Sequence, residues 1–389
     1  MSMNFMPRCL AALVVLGAAL AAPSVPSASA AAPSQKAANV NAGYVHTCAV
    51  TTKGTVLCWG YNSAGQLGDG TTTTRTSPVA VANVGVKAKA VSAGYISTCE
   101  LTTKGAVLCW GDNTYGQLGN NTTTASPTPV PVYGLGKGVK AVSVGYYHAC
   151  ALTTKGKLWC WGYNGVGQLG DGTTTQSPKP VAVVGLGKGV KAVSVGYLQT
   201  CAITSKGAAK CWGSNTAGQL GDNSMTSRST PVTVYGLGKH VKQISTGFQS
   251  TCAVTTKGKA LCWGYNSSGQ LGNGTTTQSA MPVVVSGLAK GTAAVKMGVS
   301  HACALTTKGK VLCWGANNYG ELGDNSVVNR LTPVGVYNLG KSSKLSVGYL
   351  HTCVVTSKKA VKCWGYNGYG ALGDGTTTEA HQPVRTLGF

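Results

Sequence analysis

Fourteen cysteines, set out in pairs, are the residues of this chain best placed to do chemistry. The pairs are Cys48 with Cys58, Cys99 with Cys109, Cys150 with Cys160, Cys201 with Cys211, Cys252 with Cys262, Cys303 with Cys313 and Cys353 with Cys363. Every pair is ten apart, and each first cysteine follows the last by 51 residues, or 50 at the final step. A zinc site needs four converging ligands, whereas each pair offers two thiolates with no nearby partner. A hairpin suits the spacing better. In the stretch from Cys48 to Cys58, a three-residue loop Thr52-Lys53-Gly54 with a left-handed Gly54 sets Val50 opposite Val56, Ala49 opposite Leu57 and Cys48 opposite Cys58. Directly opposed residues lie about 4.5–5.5 Å apart at Cα, within disulfide reach. In an oxidising compartment such pairs close. The seventh hairpin has Lys359 in place of the glycine, so either Lys359 carries a strained backbone or the turn changes.

The other reactive side chains point to no reaction. His46, His148, His301 and His351 share one repeat position and have no evident acid partner. Asp69, Asp171, Asp222, Asp324 and Asp374 each follow Leu-Gly, where an aspartate is a turn former first. A calcium loop would need several more oxygen ligands. There is no nucleophile elbow, phosphate loop or paired-histidine metalloprotease motif. The sequence therefore predicts neither an enzyme nor a cofactor or metal site.

A fixed period of this length means repeats that cannot bury their own apolar faces and must stack. Repeat three shows four short strands and no helical periodicity: Lys140 to Val144, Ala149 to Thr153, Lys157 to Gly162 and Pro180 to Val184, with a long Gly/Asn/Thr-rich loop before the last. Four antiparallel strands taken seven times make an all-β, seven-bladed propeller of about 51-residue repeats. A parallel β-helix would use shorter coils and no hairpin. The propeller is expected over 39–389, after a secretory signal at 1–30 and a flexible lead-in at 31–38. The signal shows as Arg8, an apolar run from Leu10 to Leu20 and small residues through Ala28-Ser29-Ala30. That run is too short to span a bilayer, and no later segment could. Secretion is expected, with the periplasm or cell surface as variants. Two ring closures remain open: the fourth strand either stays in its own blade or crosses to complete the next.

The repeated string Gly-Tyr-x-His-x-Cys-Ala-Leu-Thr-Thr-Lys-Gly, followed by Cys-Trp-Gly-x-Asn and Gly-Gln-Leu-Gly, is legible in Gly145 to Gly172 and recurs through 39–389. It resembles the regulator of chromosome condensation repeat, and the cysteine pairs resemble those of exported bacterial members. Departures are small: Glu321 and Ala371 replace Gln, and Ser97, Gln199 and Ser250 replace His. The resemblance implies a seven-bladed propeller. Members of the family include a chromatin-bound nucleotide-exchange factor, a plant ultraviolet-B photoreceptor and a secreted β-lactamase inhibitor, so fold does not choose a function. Export argues against the nuclear role. Trp59, Trp110, Trp161, Trp212, Trp263, Trp314 and Trp364 occupy one repeat position, which reads as blade packing rather than a light-sensing cluster.

Lysine and arginine number 32 against 9 acids, a net charge of +23, which suits acidic partners without specifying nucleic acid. The hairpin tips Lys53, Lys104, Lys155, Lys206, Lys257, Lys308 and Lys358, with Lys137, Lys188, Lys239, Lys290 and Lys341 of the linking loops, are expected on one face as a basic ring. That ring serves either solubility or polyanion binding. The opposite face should gather Tyr44, Tyr95, Tyr146, Tyr197 and Tyr349 of the Gly-Tyr turns, as packing or contact residues. It should also gather Tyr61, Tyr163, Tyr265 and Tyr366 of the long loops with their neighbouring asparagines, and these four are the candidate binding residues. The reading is a secreted, monomeric recognition propeller for an unidentified protein or anionic surface polymer, nucleic acid not being expected. The alternative is a secreted enzyme inhibitor, which convergent acidic or aromatic anchors at the face centre would favour.

Overall fold

The computed structural model describes residues 35–82 and 85–389; the expected signal at 1–30 and the lead-in up to residue 34 lie outside them. Among the described residues there are seven four-stranded antiparallel sheets, each in plain sequence order. Blade one is made of Ala37–Ala42, His46–Thr51, Val56–Gly60 and Arg75–Ala80, here termed the inner, second, third and outer strands. No helix among the described residues is long and apolar enough to cross a membrane.

The hairpin register follows from the turn. Cys48 pairs with Cys58, Ala49 with Leu57 and Val50 with Val56, and the other six hairpins repeat this. All seven expected disulfides are formed, each with its Cα atoms 4.0–4.1 Å apart. Cys48 bonds to Cys58, Cys99 to Cys109, Cys150 to Cys160 and Cys201 to Cys211. Cys252 bonds to Cys262, Cys303 to Cys313 and Cys353 to Cys363. The Cα separations fall below the 4.5–5.5 Å expected of opposed residues, because the bond draws the two strands together. At the seventh tip Lys359 takes a φ of 69°, so the lysine carries the left-handed conformation and the turn that sets Cys353 against Cys363 is kept.

The outer strand corrects one expectation. In blade three it runs from Ser177 to Ala182, not from Pro180 to Val184. Val181 opposes Cys160 and Ser177 opposes Gly162, so Pro178, Lys179 and Pro180 bulge against a single residue of the third strand. An edge strand with a bulge tolerates prolines that lack a donor.

Blades join through the Gly-Gln-Leu-Gly segment. The indole N–H of Trp110 donates to the Gln66 carbonyl of the preceding blade at 2.9 Å, and equivalent bonds of 2.8–3.0 Å occur at the other six tryptophans. All seven indoles are fully buried. A Cβ on Gly68, whose φ is 72°, would come 2.6 Å from the Trp110 indole nitrogen, so only glycine lets the segment lie on the ring. The fourth strand stays in its own blade. Blade seven meets blade one through the same bonds as elsewhere: Ala37 N–H to the Lys359 carbonyl at 2.9 Å and the Trp59 indole to the Ala371 carbonyl at 2.8 Å.

The histidines belong to this joint. His46, His148, His301 and His351 contact the threonine hydroxyl of the next blade at 2.8–3.0 Å, on Thr98, Thr200, Thr352 and Thr47. Where the next blade has alanine, at Ala149 and Ala302, the residue is serine, at Ser97 and Ser250. In blade four Gln199 reaches the Gly247 carbonyl instead, at 3.1 Å. Burial pushes His46, His148 and His301 down to about 3 and His351 to about 4. Glu100 is the mirror case. It stands where other blades carry alanine or valine, is 4% exposed, has one carboxylate oxygen buried without a partner, and is pushed up by burial to about 7.

These shifts act in opposite directions. The histidines are neutral when folded but bind protons when unfolded, so stability falls as pH drops from about 6.5 towards about 3. Glu100 holds a proton when folded, so its contribution is full near pH 4 and is lost as pH rises to about 7. Denaturant titration across pH is expected to show both limbs. Glu100→Ala should raise stability at pH 8 by on the order of 2–3 kcal/mol, with the gain vanishing near pH 4; a constant gain would contradict the assignment to ionisation.

Candidate functional site

The hairpin tips form one face. The carbonyl of each tip accepts the N–H that opens the next inner strand, as Gly54 does from Ala88 at 2.9 Å and Gly105 from Val139 at 3.1 Å. Each tip is thereby held beside a linking loop. Lys53, Lys104, Lys155, Lys206, Lys257, Lys308 and Lys358 are all exposed, as are Lys137, Lys188, Lys239, Lys290 and Lys341. Every acidic residue except Glu100 lies in the long loops, which leave the third strands at the other end of the blades. The fold thus separates the charges, with a lysine ring on one side and every carboxylate but Glu100 on the other. The exposed Tyr133, Tyr235 and Tyr337 follow the outer strands into the linking loops of the lysine side, but most tyrosines share the carboxylate side.

On that other side the Gly-Tyr turns converge on the ring axis. Their backbone N–H groups donate to the glycine carbonyl of the next turn, from Tyr44 to Gly94 at 2.9 Å and from Tyr197 to Gly247 at 3.1 Å. Ring centroids are 4.4 Å apart for Tyr44 and Tyr95, 5.0 Å for Tyr95 and Tyr146, 4.8 Å for Tyr146 and Tyr197, 4.3 Å for Tyr197 and Phe248 and 4.1 Å for Tyr44 and Tyr349. This aromatic iris narrows the axis to a cavity of about 100 Å³. Burial, then the neighbouring phenols, push the Tyr44 and Tyr146 hydroxyls well above their usual range, so both stay neutral donors.

The four candidate tyrosines do not meet as one group. Tyr61 and Tyr366 join a belt across blades six, seven and one: Tyr319 to Tyr366 is 5.1 Å, Tyr366 to Tyr369 is 6.2 Å and Tyr369 to Tyr61 is 4.7 Å. Tyr163 packs with Tyr115 at 5.0 Å, and Tyr115 with Tyr147 at 5.3 Å. Tyr265 stands apart from these clusters, 38% exposed. Tyr115, Tyr319 and Tyr369 are absent from the sequence-based candidates, although all three share one repeat position, directly before the glycine of Gly-Gln-Leu-Gly. Each packs on the next blade's long-loop tyrosine.

The asparagines beside the candidate tyrosines are not contact residues. Asn62, Asn113, Asn164, Asn215, Asn266, Asn317 and Asn367 are fully buried. The Asn62 amide donates to the Thr71 and Thr73 carbonyls and its oxygen accepts the Leu67 N–H, so these residues fix the loop from within. Asp69 caps the same loop, accepting from the Thr71 N–H and, in an ion pair, from Arg75 at 3.0 Å. Among the described residues no three His, Cys, Asp or Glu side chains gather as a metal site would require.

The description of the RCC1-like domain fits residues 16–296, and that of the regulator of chromosome condensation (RCC1) repeat fits 293–321, 343–371 and 308–355. The chain belongs to the RCC1-like propeller family. It is 31% identical over 303 residues to the ultraviolet-B receptor UVR8 of Arabidopsis thaliana, covering 76% of this chain and 69% of that one. It is 33% identical over 318 residues to the human E3 ubiquitin-protein ligase HERC2, covering 79% of this chain but only 7% of the ligase. The structure of Prp20p from Saccharomyces cerevisiae superimposes with a TM-score of 0.75 at 22% identity, over 90% of this chain and 87% of that one, which shows the shared fold. Seven disulfides in an RCC1-like propeller are typical of secreted proteins.

The two-faced arrangement is open to chemical footprinting. Amine-reactive labelling followed by mass spectrometry should modify the seven hairpin lysines fastest, with half-buried Lys296 at least tenfold slower until the protein is unfolded. Equal rates would contradict the exposure assigned to the hairpin tips.

Proposed function

We propose that this chain is an exported recognition propeller, with residues 1–30 removed as a signal, that binds a partner protein through its tyrosine face and performs no catalysis. The belt of Tyr319, Tyr366, Tyr369 and Tyr61 carries this reading. Tyr319 and Tyr369 are 37% and 41% exposed, on loops pinned by buried asparagines. Rigid aromatics with polar tips give contact area at little entropic cost. RCC1-like propellers serve as binding modules elsewhere, as in yeast Prp20p, whose binding to Gsp1p and histones is described.

The iris at the face centre also favours a secreted enzyme inhibitor, since it supplies convergent aromatic anchors on a preformed surface. A panel of secreted hydrolases, β-lactamases included, would reveal that form of the function as stoichiometric inhibition.

Capture from native extracellular material with the oxidised mature protein, followed by affinity measurement on the recovered partner, tests the main reading. Combined Tyr366→Ala and Tyr369→Ala substitution is expected to weaken binding at least tenfold while leaving its salt dependence unchanged. A partner that leaves at modest salt and depends on Lys53, Lys104 and Lys155 instead would move the function to the basic face and overturn the proposal.

A further inference from the structure

The inner wall of the ring follows a rule that one interface breaks. In six blades the fifth residue of the inner strand is Asn41, Ser92, Ser143, Ser194, Ser245 or Ser346. Its side-chain oxygen accepts a backbone N–H from the next blade's inner strand at 2.7–3.1 Å. Blade six has Lys296 at this place. An ammonium has no lone pair to offer, so the corresponding N–H, that of Val347 in blade seven, loses its acceptor. The Gly348 N–H donates to the His351 carbonyl at 2.8 Å, and N–H groups alternate in direction along a strand, so Val347 turns its N–H away from the second strand.

Further donors gather at the same interface. Lys344, in the adjoining inner strand, is near enough to Lys296 to lower its pKa, after burial as the larger cause. Neither lysine has a hydrogen-bond or ion-pair partner among the described residues. The mouth above them is also altered. Six turns carry an aromatic ring and a backbone bond of 2.9–3.3 Å to the next turn, whereas blade six carries Val299 and lacks that bond. Met297, Val299 and Val347 line the axial cavity at this point.

We propose that the blade six–blade seven interface is an oxyanion site, in which Lys296, Lys344 and the Val347 N–H bind a carboxylate or phosphate group that enters past Val299. A half-buried ammonium and a backbone N–H that both lack an acceptor are costly to desolvate. A bound oxyanion satisfies both, and the exposed Lys344 supplies a further donor. The site is independent of partner recognition by the tyrosine belt, because free anions suffice to fill it.

Titration of isotope-labelled mature protein with inorganic phosphate, and separately with acetate, at fixed ionic strength provides the test. A saturable shift of the Val347 amide is expected with at least one of them, and the responding anion identifies the group the site takes. Lys296→Ser, which supplies the oxygen that other blades use, should weaken this binding at least tenfold and leave the rest of the amide spectrum in place. Combined Lys53→Ser, Lys104→Ser and Lys155→Ser should not affect it. No saturable shift with either anion, or a shift that survives Lys296→Ser, would overturn the proposal.

Discussion

One backbone carbonyl per blade holds the ring together. The carbonyl of Gln66 accepts both the Trp110 indole N–H and the Thr98 hydroxyl of the next blade, and Gln168, Gln219, Glu321 and Ala371 repeat that double role. Because the acceptor belongs to the backbone, it survives the change of side chain to Glu321 or Ala371. A buried carbonyl left unpaired would cost free energy comparable to a lost hydrogen bond, so every blade needs its neighbour in register. The tryptophans are therefore structural here, with their only polar atom already engaged.

The same interface explains an irregularity of the repeats. Histidine varies to serine at two positions, and the following blade has alanine instead of threonine at those same two interfaces. An imidazole facing Ala149 or Ala302 would lose the hydroxyl that its ring nitrogen meets elsewhere, and a serine facing Thr98 would be too short to reach it. The variation is paired across interfaces, which ties each blade to a particular neighbour. Glu100 breaks the apolar pattern of the interface it occupies without such a match.

Stable interfaces leave the loops free to carry function. Hairpin tips and linking loops must share one face because strands in a meander alternate in direction, and the long loops must therefore share the other. The lysines in the first set and the carboxylates in the second turn this topology into charge polarity, and the tyrosine clusters lie with the carboxylates. Blades that are nearly identical inside then differ on the tyrosine face, where Tyr61, Asp112, Tyr163, Ser214, Tyr265, Ala316 and Tyr366 occupy one position.

Local spacing determined much of this protein by itself. The ten-residue cysteine interval fixed the hairpin register, since a two-residue side-chain period and a short turn admit one pairing that opposes the sulfurs. The 51-residue period fixed the number of blades. The alternation of connections placed the lysine tips on one face. Other features depend on which blade lies next to which, and repeat position alone does not encode that. The start of the outer strand escapes a sequence reading because its prolines are tolerated only at a bulged edge. The asparagines resemble loop-surface residues, but their side chains satisfy backbone groups up to eleven residues away. The tyrosine belt and the axial lysines became visible only when the ring closed and set residues of blades six, seven and one side by side.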